Sequence, residues 1–381
     1  MIVILLMNFL FAIATTMGMT LLPLLATENL GLSITNLGYI EGTAEFISNV
    51  LRLISGNLFD RMKNRKLLFI IPATLAFASK LIFFIPYSLC LILAKILERI
   101  SNGAFAVPRD AYVGENTKKK GIALGLLSFS KGLGCIIGPL IISVSTLKLG
   151  TLKENIYVVI ALAGFVNFIT FLLSFRVSTK KKITILNESK FSFTELKEVF
   201  KHLRLLFILS FLFFLGRFND GVLILHLKNQ GFPEWFYLAT ISFFNLAMVI
   251  VSPIIGLWND KKKNYQVLFF TIAMLFAFNV FFYNVSLNPW LFACLGLTCW
   301  GCQRVSAQIT FSAIIFKKAP VKYYGTTIGA YSLLSGAGVF VASIISGHLA
   351  QISFNYAFLF SGTISLFALA FAFYMFKRDF F

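Results

Sequence analysis

Residues 54–69 read ISGNLFDRMKNRKLLF, and residues 254–269 read IIGLWNDKKKNYQVLF. Without gaps, seven of the sixteen aligned positions are identical, among them a glycine, an aspartate and an asparagine. The same offset of 200 residues also pairs Gly31 with Gly231. This similarity indicates that the chain contains an internal repeat.

A second match lies further along the chain, where residues 121–134 align with residues 325–338 at an offset of 204. Matches that keep their order and nearly keep one offset are hard to obtain by chance. The sequence therefore predicts two parallel repeats, residues 1–176 and residues 204–381, which are joined by a linker over residues 177–203.

The linker is the longest polar segment of the chain, and its second part carries a helix signal. Ser192 and Glu195 have the spacing of a capping box, and apolar residues follow at helical intervals. This pattern predicts an amphipathic helix that lies on the cytoplasmic surface and links the two repeats.

Hydropathy predicts the fold class. Hydrophobic residues make up 58% of the 381 residues, charged residues make up only 13%, and mean hydropathy is +0.84. The apolar residues come in blocks of about twenty, the length that crosses a bilayer as a helix. The sequence predicts an all-α integral membrane protein with twelve transmembrane helices in two groups of six. We place the spans near residues 2–25, 37–58, 67–86, 88–108, 122–147, 155–175, 205–227, 235–257, 266–284, 289–316, 325–348 and 355–376.

The basic residues predict the orientation. Of the 34 lysines and arginines, 24 fall in the segments on one side of the predicted spans, three fall in the opposite loops and seven fall within spans. The basic side should face the cytoplasm, which places both termini there and makes the chain a multi-pass protein of the cytoplasmic or inner membrane. We interpret the net charge of +19 as this signal, strengthened by anionic membrane lipids, and expect no nucleic-acid partner.

Three short motifs fall in and beside the first five spans. Gly56, Asp60 and Arg61, followed by Arg65 and Lys66, form a glycine-acid-base pattern between spans 2 and 3.

The other two motifs lie in the next spans: Arg99 precedes Gly103 in span 4, and Gly134 precedes Gly138 and Pro139 in span 5. Together with the repeat, these motifs resemble those of the major facilitator superfamily across nearly the whole chain. Two positions depart from the family pattern. Lys63 stands where the family has a glycine, which leaves the tight turn in question. Ile142 stands where the third motif expects a further glycine, which weakens an inference of antiport.

The resemblance implies the fold of that family, a monomer, and transport of a small solute by alternating access. It also implies that Asp60, paired with Arg61 or Arg109, is part of a gate. The alternative is that these charges only orient the chain. Gly134, Gly138 and Pro139 are expected to serve helix packing, because small residues allow close approach of membrane helices.

Ionisable side chains inside the spans are candidate site residues, because each is costly in lipid unless it is paired or hydrated. Those in the first, fourth, seventh and tenth helices would line the central cavity that the resemblance implies. Lys95, Arg99, Arg217, Asp220 and Arg304 fall near mid-span on three of these helices. Among these five residues cations outnumber acids by four to one, which favours an anionic solute, although a zwitterion would also suit. The eleven ionisable residues are Glu41, Glu45, Arg52, Lys80, Lys95, Glu98, Arg99, Lys131, Arg217, Asp220 and Arg304.

Spacing suggests pairings among the cavity residues. Lys95 and Arg99 share one helix face, and Glu98 is close enough in sequence to pair with Lys95. Lys95 and Arg99 are candidates for substrate binding.

The other cavity candidates lie in the second repeat. Arg217 and Asp220, three residues apart, either contact substrate or form an intrahelical ion pair. Arg304, next to Gln303 and with no acid in its own span, is the strongest candidate for a substrate contact.

Glu41 and Glu45 lie one turn apart on span 2. Two carboxylates this close in a medium of low dielectric constant favour protonation of one of them, as proton coupling requires. The alternative is that they form structural ion pairs with Lys80, Lys131 or Arg52. The sequence does not choose between the two.

Other chemistries find little support. Cys299 and Cys302 have the spacing of a redox motif but lie inside a predicted membrane helix, and the three histidines lack metal-ligand spacing. We therefore expect no cofactor, no metal and no enzyme activity. The predicted function is secondary active transport of a small solute, coupled to protons or another ion. The alternative is a membrane-embedded enzyme or sensor that retains the fold without transport.

Overall fold

A computed structural model describes residues 1–62, 64–116, 120–177, 193–260, 264–318 and 324–378. In these ranges the chain forms α-helices and no β-strand. The helices are α1 (Ile2–Leu24, continued by a π-helical turn over Leu25–Asn29), α2 (Ile34–Arg61), α3 (Leu67–Ile82), α4 (Ser88–Asn116), α5 (Lys120–Leu149), α6 (Leu152–Ser174), α7 (Phe193–Leu215), α8 (Asp220–Asn229), α9 (Glu234–Asp260), α10 (Asn264–Tyr283), α11 (Pro289–Lys318), α12 (Tyr324–Ile352) and α13 (Phe354–Lys377).

The helices follow the predicted spans in order, so the predicted fold class is confirmed. By length and hydropathy, eight segments of the described chain are apolar enough to cross a membrane, with α7 and α8 counted together as one segment. Helix α3 is apolar but shorter. Helices α2, α4 and α11 fall outside the set because polar or charged side chains interrupt them, and these three helices carry most of the candidate site residues.

The seventh predicted span is not one continuous helix. Helix α7 ends at Leu215 and α8 begins at Asp220, where the side chain of Asn219 accepts a hydrogen bond from the Val222 N–H at 3.1 Å. On the other side of the break, the Ser361 hydroxyl donates to the Gly216 carbonyl. Both bonds satisfy backbone groups that a helix end leaves without intrahelical partners.

Helix α7 also has a kink at Leu203, whose backbone angles are φ −112° and ψ 18°. The segment before the kink covers the predicted amphipathic helix of the linker. Ser192, the first residue of the predicted capping box, lies outside the described residues.

The chain packs as two compact units. Unit 1 contains Met1–Lys181 and Asn219–Leu246, and unit 2 contains Lys182–Phe218 and Ala247–Phe381. The chain passes from unit 2 to unit 1 at the break that precedes α8. The units therefore differ from the predicted sequence halves, because α8 and the first part of α9 pack with the N-terminal helices. The predicted domain limits describe the sequence repeat and remain a prediction.

Hydrogen bonds within unit 1 explain this placement of α9. The Ser143 hydroxyl of α5 donates to the Trp235 carbonyl at 2.8 Å, and the Ser242 hydroxyl donates to the Ile136 carbonyl at 2.6 Å. Gly221 of α8 packs beside residues of α1 and α2. These contacts hold the segment Asn219–Leu246 against α1, α2 and α5.

Equivalent glycines of the two repeats have equivalent backbone positions. Gly31 and Gly231 both have positive φ angles, +62° and +78°, which side chains other than glycine rarely adopt. In unit 1, Gly134 brings α5 close to α1, because an added Cβ atom would lie 2.8 Å from the Ala12 Cβ. Its counterpart Gly338 brings α12 close to α7 in unit 2. The internal repeat read from the sequence therefore extends to helix packing.

Candidate functional site

Four charged side chains meet between α2 and α4 in unit 1. The Lys95 Nζ lies 2.9 Å from the Glu41 Oε1, and the Arg99 Nη2 lies 3.6 Å from the Glu41 Oε2. The Arg99 Nη1 lies 3.0 Å from the Glu45 Oε2. Lys95 is fully buried, and the Glu41 side chain is 8% exposed against 28% for Glu45. We call these four residues the α2–α4 charge cluster.

Helical spacing produces this cluster. Glu41 and Glu45 lie one turn apart on α2, and Lys95 and Arg99 lie one turn apart on α4, so each helix presents two like charges on one face. The two helices pack tightly, since an added Cβ on Gly103 would overlap the backbone of α2. Each acid therefore faces a base on the neighbouring helix.

This arrangement corrects two predicted pairings. Lys95 pairs with Glu41 and not with Glu98, although Glu98 is close to it in sequence. The carboxylates of Glu41 and Glu45 pair with the α4 cations, whereas the sequence analysis named Lys80, Lys131 or Arg52. Contacts between helices decide both cases, and sequence spacing does not report them.

Glu98 has a different partner, Lys80 of α3. Their side chains form an ion pair in which each is only 2% exposed. Gly18 of α1 covers the pair, because a Cβ atom added there would overlap both side chains. Two ions buried to this extent are costly unless they are paired, which explains why Lys80 and Glu98 form a pair. Helices α1, α3 and α4 together enclose this pair.

Asp220 belongs to unit 1 and lies buried at the start of α8, where it attracts the charge of Arg99. Arg217 and Asp220 do not share one helix, because the helix is interrupted between them, and their pairing remains a prediction. Asp220 therefore adds a fourth acid to the surroundings of Arg99, after Glu45, Glu41 and Glu98.

In unit 2, two arginines approach one tryptophan. The Arg217 guanidinium carbon lies 5.7 Å from the centre of the Trp300 ring, and the Arg304 guanidinium carbon lies 5.9 Å from it. Trp300 is fully buried and lies one helical turn before Arg304 on α11. A cation over an indole face is attracted by the ring quadrupole, so Trp300 positions both side chains. We call these three residues the α7–α11 arginine site.

Helices α10 to α13 contain basic residues but no acidic residue that could balance their charge. From Lys261 to Arg378 the sequence contains no aspartate or glutamate, so helices α10 to α13 supply no carboxylate. The Gln303 side chain is fully buried, and neither its oxygen nor its nitrogen has a hydrogen-bond partner among the described residues. A buried amide of this kind normally has a partner, which marks the region as a place where a polar ligand would be favourable.

The predicted gate residues lie at one end of unit 1. Gly56, Asp60 and Arg61 are in the last turns of α2, and their side chains lie outside the described part of the structure. Arg65 lies in the turn before α3, where its carbonyl accepts a hydrogen bond from Leu68. Arg109 donates to the Asn8 Oδ1 at 2.6 Å and to the Asp110 Oδ1 at 2.9 Å. The pairing of Asp60 with Arg109 remains a prediction.

The predicted packing motif lies in α5. Gly138 approaches α1 so closely that an added Cβ atom would lie 2.6 Å from the Ile13 carbonyl oxygen, and Pro139 is buried within the same helix. These positions agree with a role in helix packing.

Two features escaped the sequence analysis. The role of Trp300 was not predicted, although its position one turn before Arg304 is a signal for a cation–aromatic contact. The Lys80–Glu98 pair joins two helices and has no signal in local spacing. Among the described residues, no group of three or more histidine, cysteine, aspartate or glutamate side chains could hold a metal ion.

Comparisons with known proteins show the family and the fold. A family model described as Major Facilitator Superfamily matches residues 4–343. The chain is 24% identical over 378 residues to an uncharacterized MFS-type transporter of Methanocaldococcus jannaschii, covering 94% of this chain and 90% of that protein.

Solved structures show the same fold at low sequence identity. A nucleoside transporter superposes with a TM-score of 0.83 at 13% identity, covering 98% of this chain and 99% of the other. A POT family transporter in complex with a thioalcohol-conjugated peptide gives 0.82 at 13% identity, with 99% and 96% covered. A D-xylose-proton symporter gives 0.76 at 13% identity, with 97% and 96% covered.

Proposed function

The chain belongs to the Major Facilitator Superfamily, and we propose that it is a secondary active transporter that moves a small anionic or zwitterionic solute by alternating access, coupled to protons. The observation that carries this proposal is the α2–α4 charge cluster, which places four ionisable groups inside membrane helices. Charged side chains in such helices are costly, and apolar residues of similar volume are often at least as stabilising as a buried ion pair. A contribution to stability therefore does not explain the α2–α4 charge cluster. A role in proton-coupled transport does explain it.

The proposed proton site is Glu45. Glu41 contacts both Lys95 and Arg99 and is 8% exposed, whereas Glu45 contacts Arg99 and is 28% exposed, so water reaches Glu45 more readily. A carboxylate that loses its cation in a medium of low dielectric constant favours the neutral, protonated form. The solute would favour the state of the cycle in which the Arg99–Glu45 pair is broken, and Glu45 would take up a proton in that state. Solute and proton would then move in the same direction.

The proposed substrate contacts are Arg304 and Arg217, with Gln303 beside them. Guanidinium groups bind carboxylate and phosphate groups through paired, charge-assisted hydrogen bonds. Because helices α10 to α13 contain no acidic residue, an anionic group of the solute would balance positive charge that these helices leave in excess. A zwitterion would use its own carboxylate in the same way. Lys95 and Arg99, the other predicted substrate contacts, are proposed to act through their pairs with Glu41 and Glu45.

Contacts of the segment Asn219–Leu246 support the alternating-access part of the proposal. Lys228 forms an ion pair with Glu28, which lies 200 positions earlier and is its equivalent in the repeat. The Glu234 carboxylate accepts a hydrogen bond from the Leu152 N–H at 3.2 Å, at the start of α6. We propose that these contacts form in one state of the transport cycle and break in the other, and that Asp60 and Arg109 act at the opposite end of the helices.

Reconstitution tests the proposal. The purified full chain is placed in liposomes, and uptake of labelled anionic, zwitterionic and cationic solutes is measured with and without an imposed proton gradient. We expect uptake of an anionic or zwitterionic solute that an inward proton gradient accelerates. Exclusive uptake of cationic solutes would contradict the proposed substrate class. No uptake of any solute by folded protein would favour the sensor alternative.

A further inference from the structure

The Lys80–Glu98 ion pair has no part in the mechanism proposed above, although Glu98 lies on the same helix as the cations of the α2–α4 charge cluster. On α4 it comes three residues after Lys95 and one residue before Arg99. The Glu98 Oε2 contacts the Lys80 Nζ of α3, whereas the Glu98 Oε1 is buried without a hydrogen-bond partner among the described residues. One carboxylate oxygen of Glu98 can therefore still accept from a second cation.

Lys80 has apolar surroundings apart from Glu98. Its Nζ lies 5.0 Å from the centre of the Phe83 ring. Helix α1, which covers the ion pair, carries no ionisable side chain. A buried ammonium group is costly without a carboxylate, so Lys80 holds the Glu98 side chain towards α3. A small cavity beside Lys80 is otherwise lined by Gly18, Leu21, Phe83, Ile160 and Ala163.

Lys95 has acids of two helices within its reach. Side chains three residues apart on a helix are neighbours, with Cβ atoms about 5 to 6 Å apart, so Glu98 is close enough to pair with Lys95. In the structure the Lys95 Nζ lies 2.9 Å from the Glu41 Oε1 of α2, yet it makes no hydrogen bond to any described residue. Its partner therefore depends on which carboxylate is already engaged by another cation.

We infer that Lys80 is a positioning residue for the α2–α4 charge cluster: by engaging Glu98, it leaves both cations of the cluster to the two acids of α2. This inference rests on the proposed role of the cluster in proton coupling. Without Lys80, the unpaired Glu98 would draw Lys95 away from α2. Arg99, which contacts Glu41 at 3.6 Å and Glu45 at 3.0 Å, would then have to neutralise both acids.

The consequence would fall on Glu45, the proposed proton site. A carboxylate that loses part of its countercharge holds its proton to higher pH. The charged groups that act on Arg99 are Glu45, Glu41, Glu98 and Asp220, and those that act on Glu98 are Lys80, Lys95 and Arg99. Loss of Lys80 should therefore raise the pH at which Glu45 takes up a proton.

Infrared spectroscopy of the full chain in liposomes tests this inference without a solute. Spectra are recorded over a range of pH, and the protonated-carboxyl absorption that Glu45→Gln removes in each background is assigned to Glu45. Lys80→Met should raise the midpoint of this titration by about one pH unit or more, the usual effect of losing a close opposite charge. Lys80→Met/Glu98→Gln, which also removes the competing carboxylate, should restore the wild-type midpoint.

Gly18→Ala is a second variant, and it keeps both charges. The added methyl group would overlap the flexible ends of the Lys80 and Glu98 side chains, so it should separate them while the helices stay packed. We expect a smaller shift of the midpoint in the same direction. Gly164→Ala is the matched control, because its Cβ atom would lie 3.7 Å from the Lys80 Cβ, an ordinary contact distance. It should titrate as the wild type does.

Two results would overturn the inference. One is a wild-type midpoint in both Lys80→Met and Gly18→Ala, and the other is a raised midpoint that Lys80→Met/Glu98→Gln does not reverse. If Lys80→Met does not fold, the comparison of Gly18→Ala with Gly164→Ala decides alone. Failure of the proposed function has a different signature, because it appears as solute uptake that ignores a proton gradient while the Glu45 titration still responds to Lys80.

Discussion

The buried charges of the two packing units are compensated in different ways. In the α2–α4 charge cluster of unit 1, Glu41 and Glu45 face Lys95 and Arg99, so two acids and two bases balance one another. In unit 2, Arg217 and Arg304 lie against an uncharged aromatic ring, and helices α10 to α13 contain no acid.

The difference suggests a division of roles. A balanced cluster can release or take up a proton when one of its pairs breaks, because an unpaired buried carboxylate favours its neutral form. An excess of guanidinium groups favours the arrival of an anion from outside the unit. The following substitutions test this division, beginning with the one that should have the largest effect.

Arg304→Ala should reduce solute uptake in liposomes by at least about a hundredfold, because truncating one partner of a buried charged contact costs several kcal/mol of binding. Expression and the unfolding midpoint should change little. Lys318→Ala, which removes an exposed cation from the last turn of the same helix, is the control and should transport normally. Normal uptake by Arg304→Ala would remove Arg304 from the substrate site.

Glu41→Gln should destabilise the folded protein by about 3 to 5 kcal/mol, the usual cost of breaking a buried ion pair, because it leaves the fully buried Lys95 without its carboxylate. Chemical unfolding in detergent, followed by circular dichroism, measures the change. Glu28→Gln removes an acid that is 38% exposed and should alter stability by less than about 1 kcal/mol. Equal effects of the two variants would show that the cluster is not tightly paired.

These expectations also show how far the sequence alone reaches. The length of the apolar blocks and the repeat predict the helices and their order, because membrane-spanning helices satisfy their own backbone hydrogen bonds. The break before Asp220 was not predicted, because the apolar segments on both sides together have the length of one span. Asn219, a residue type typical of a helix N-cap, was the signal for it, and the bond that Gly216 accepts from Ser361 is tertiary.

The pairings within the candidate sites were harder to predict than the residues themselves. The sequence identified Glu41, Lys95, Arg99 and Arg304 as unusual, because charge inside a membrane helix is rare. It did not predict that Glu98 pairs with Lys80 from another helix, because that depends on how α3 and α4 pack. Spacing within one helix reports only neighbours on the same helix face.

Gly138→Ala should destabilise the protein by about 1 to 3 kcal/mol, because the added methyl group would overlap the α1 backbone and force the two helices apart. Gly125→Ala is the matched control in the same helix. An added Cβ there meets no atom of the described residues within 4 Å, so it should leave stability unchanged or raise it by up to about 1 kcal/mol. If both variants unfold at the same denaturant concentration, α5 does not depend on close approach to α1.

The Glu28–Lys228 ion pair should give the smallest effect, because both side chains are more than a third exposed. A double-mutant cycle with Glu28→Gln and Lys228→Gln should give a coupling energy of about 0.2 to 1 kcal/mol, which falls as salt is added. Denaturant unfolding of the four proteins at low and high salt measures it. Zero coupling at low salt would mean that this contact does not help to hold α8 against α1.

The most direct test of the central claim measures proton movement across the liposome membrane. Liposomes that contain the full chain and an internal pH dye are exposed to the solute that the uptake panel identifies. The account predicts that solute entry acidifies the interior with wild-type protein and that Glu45→Gln abolishes the acidification while remaining folded. Unchanged acidification by Glu45→Gln would contradict the role of Glu45. Solute entry without proton movement in the wild type would contradict proton coupling itself.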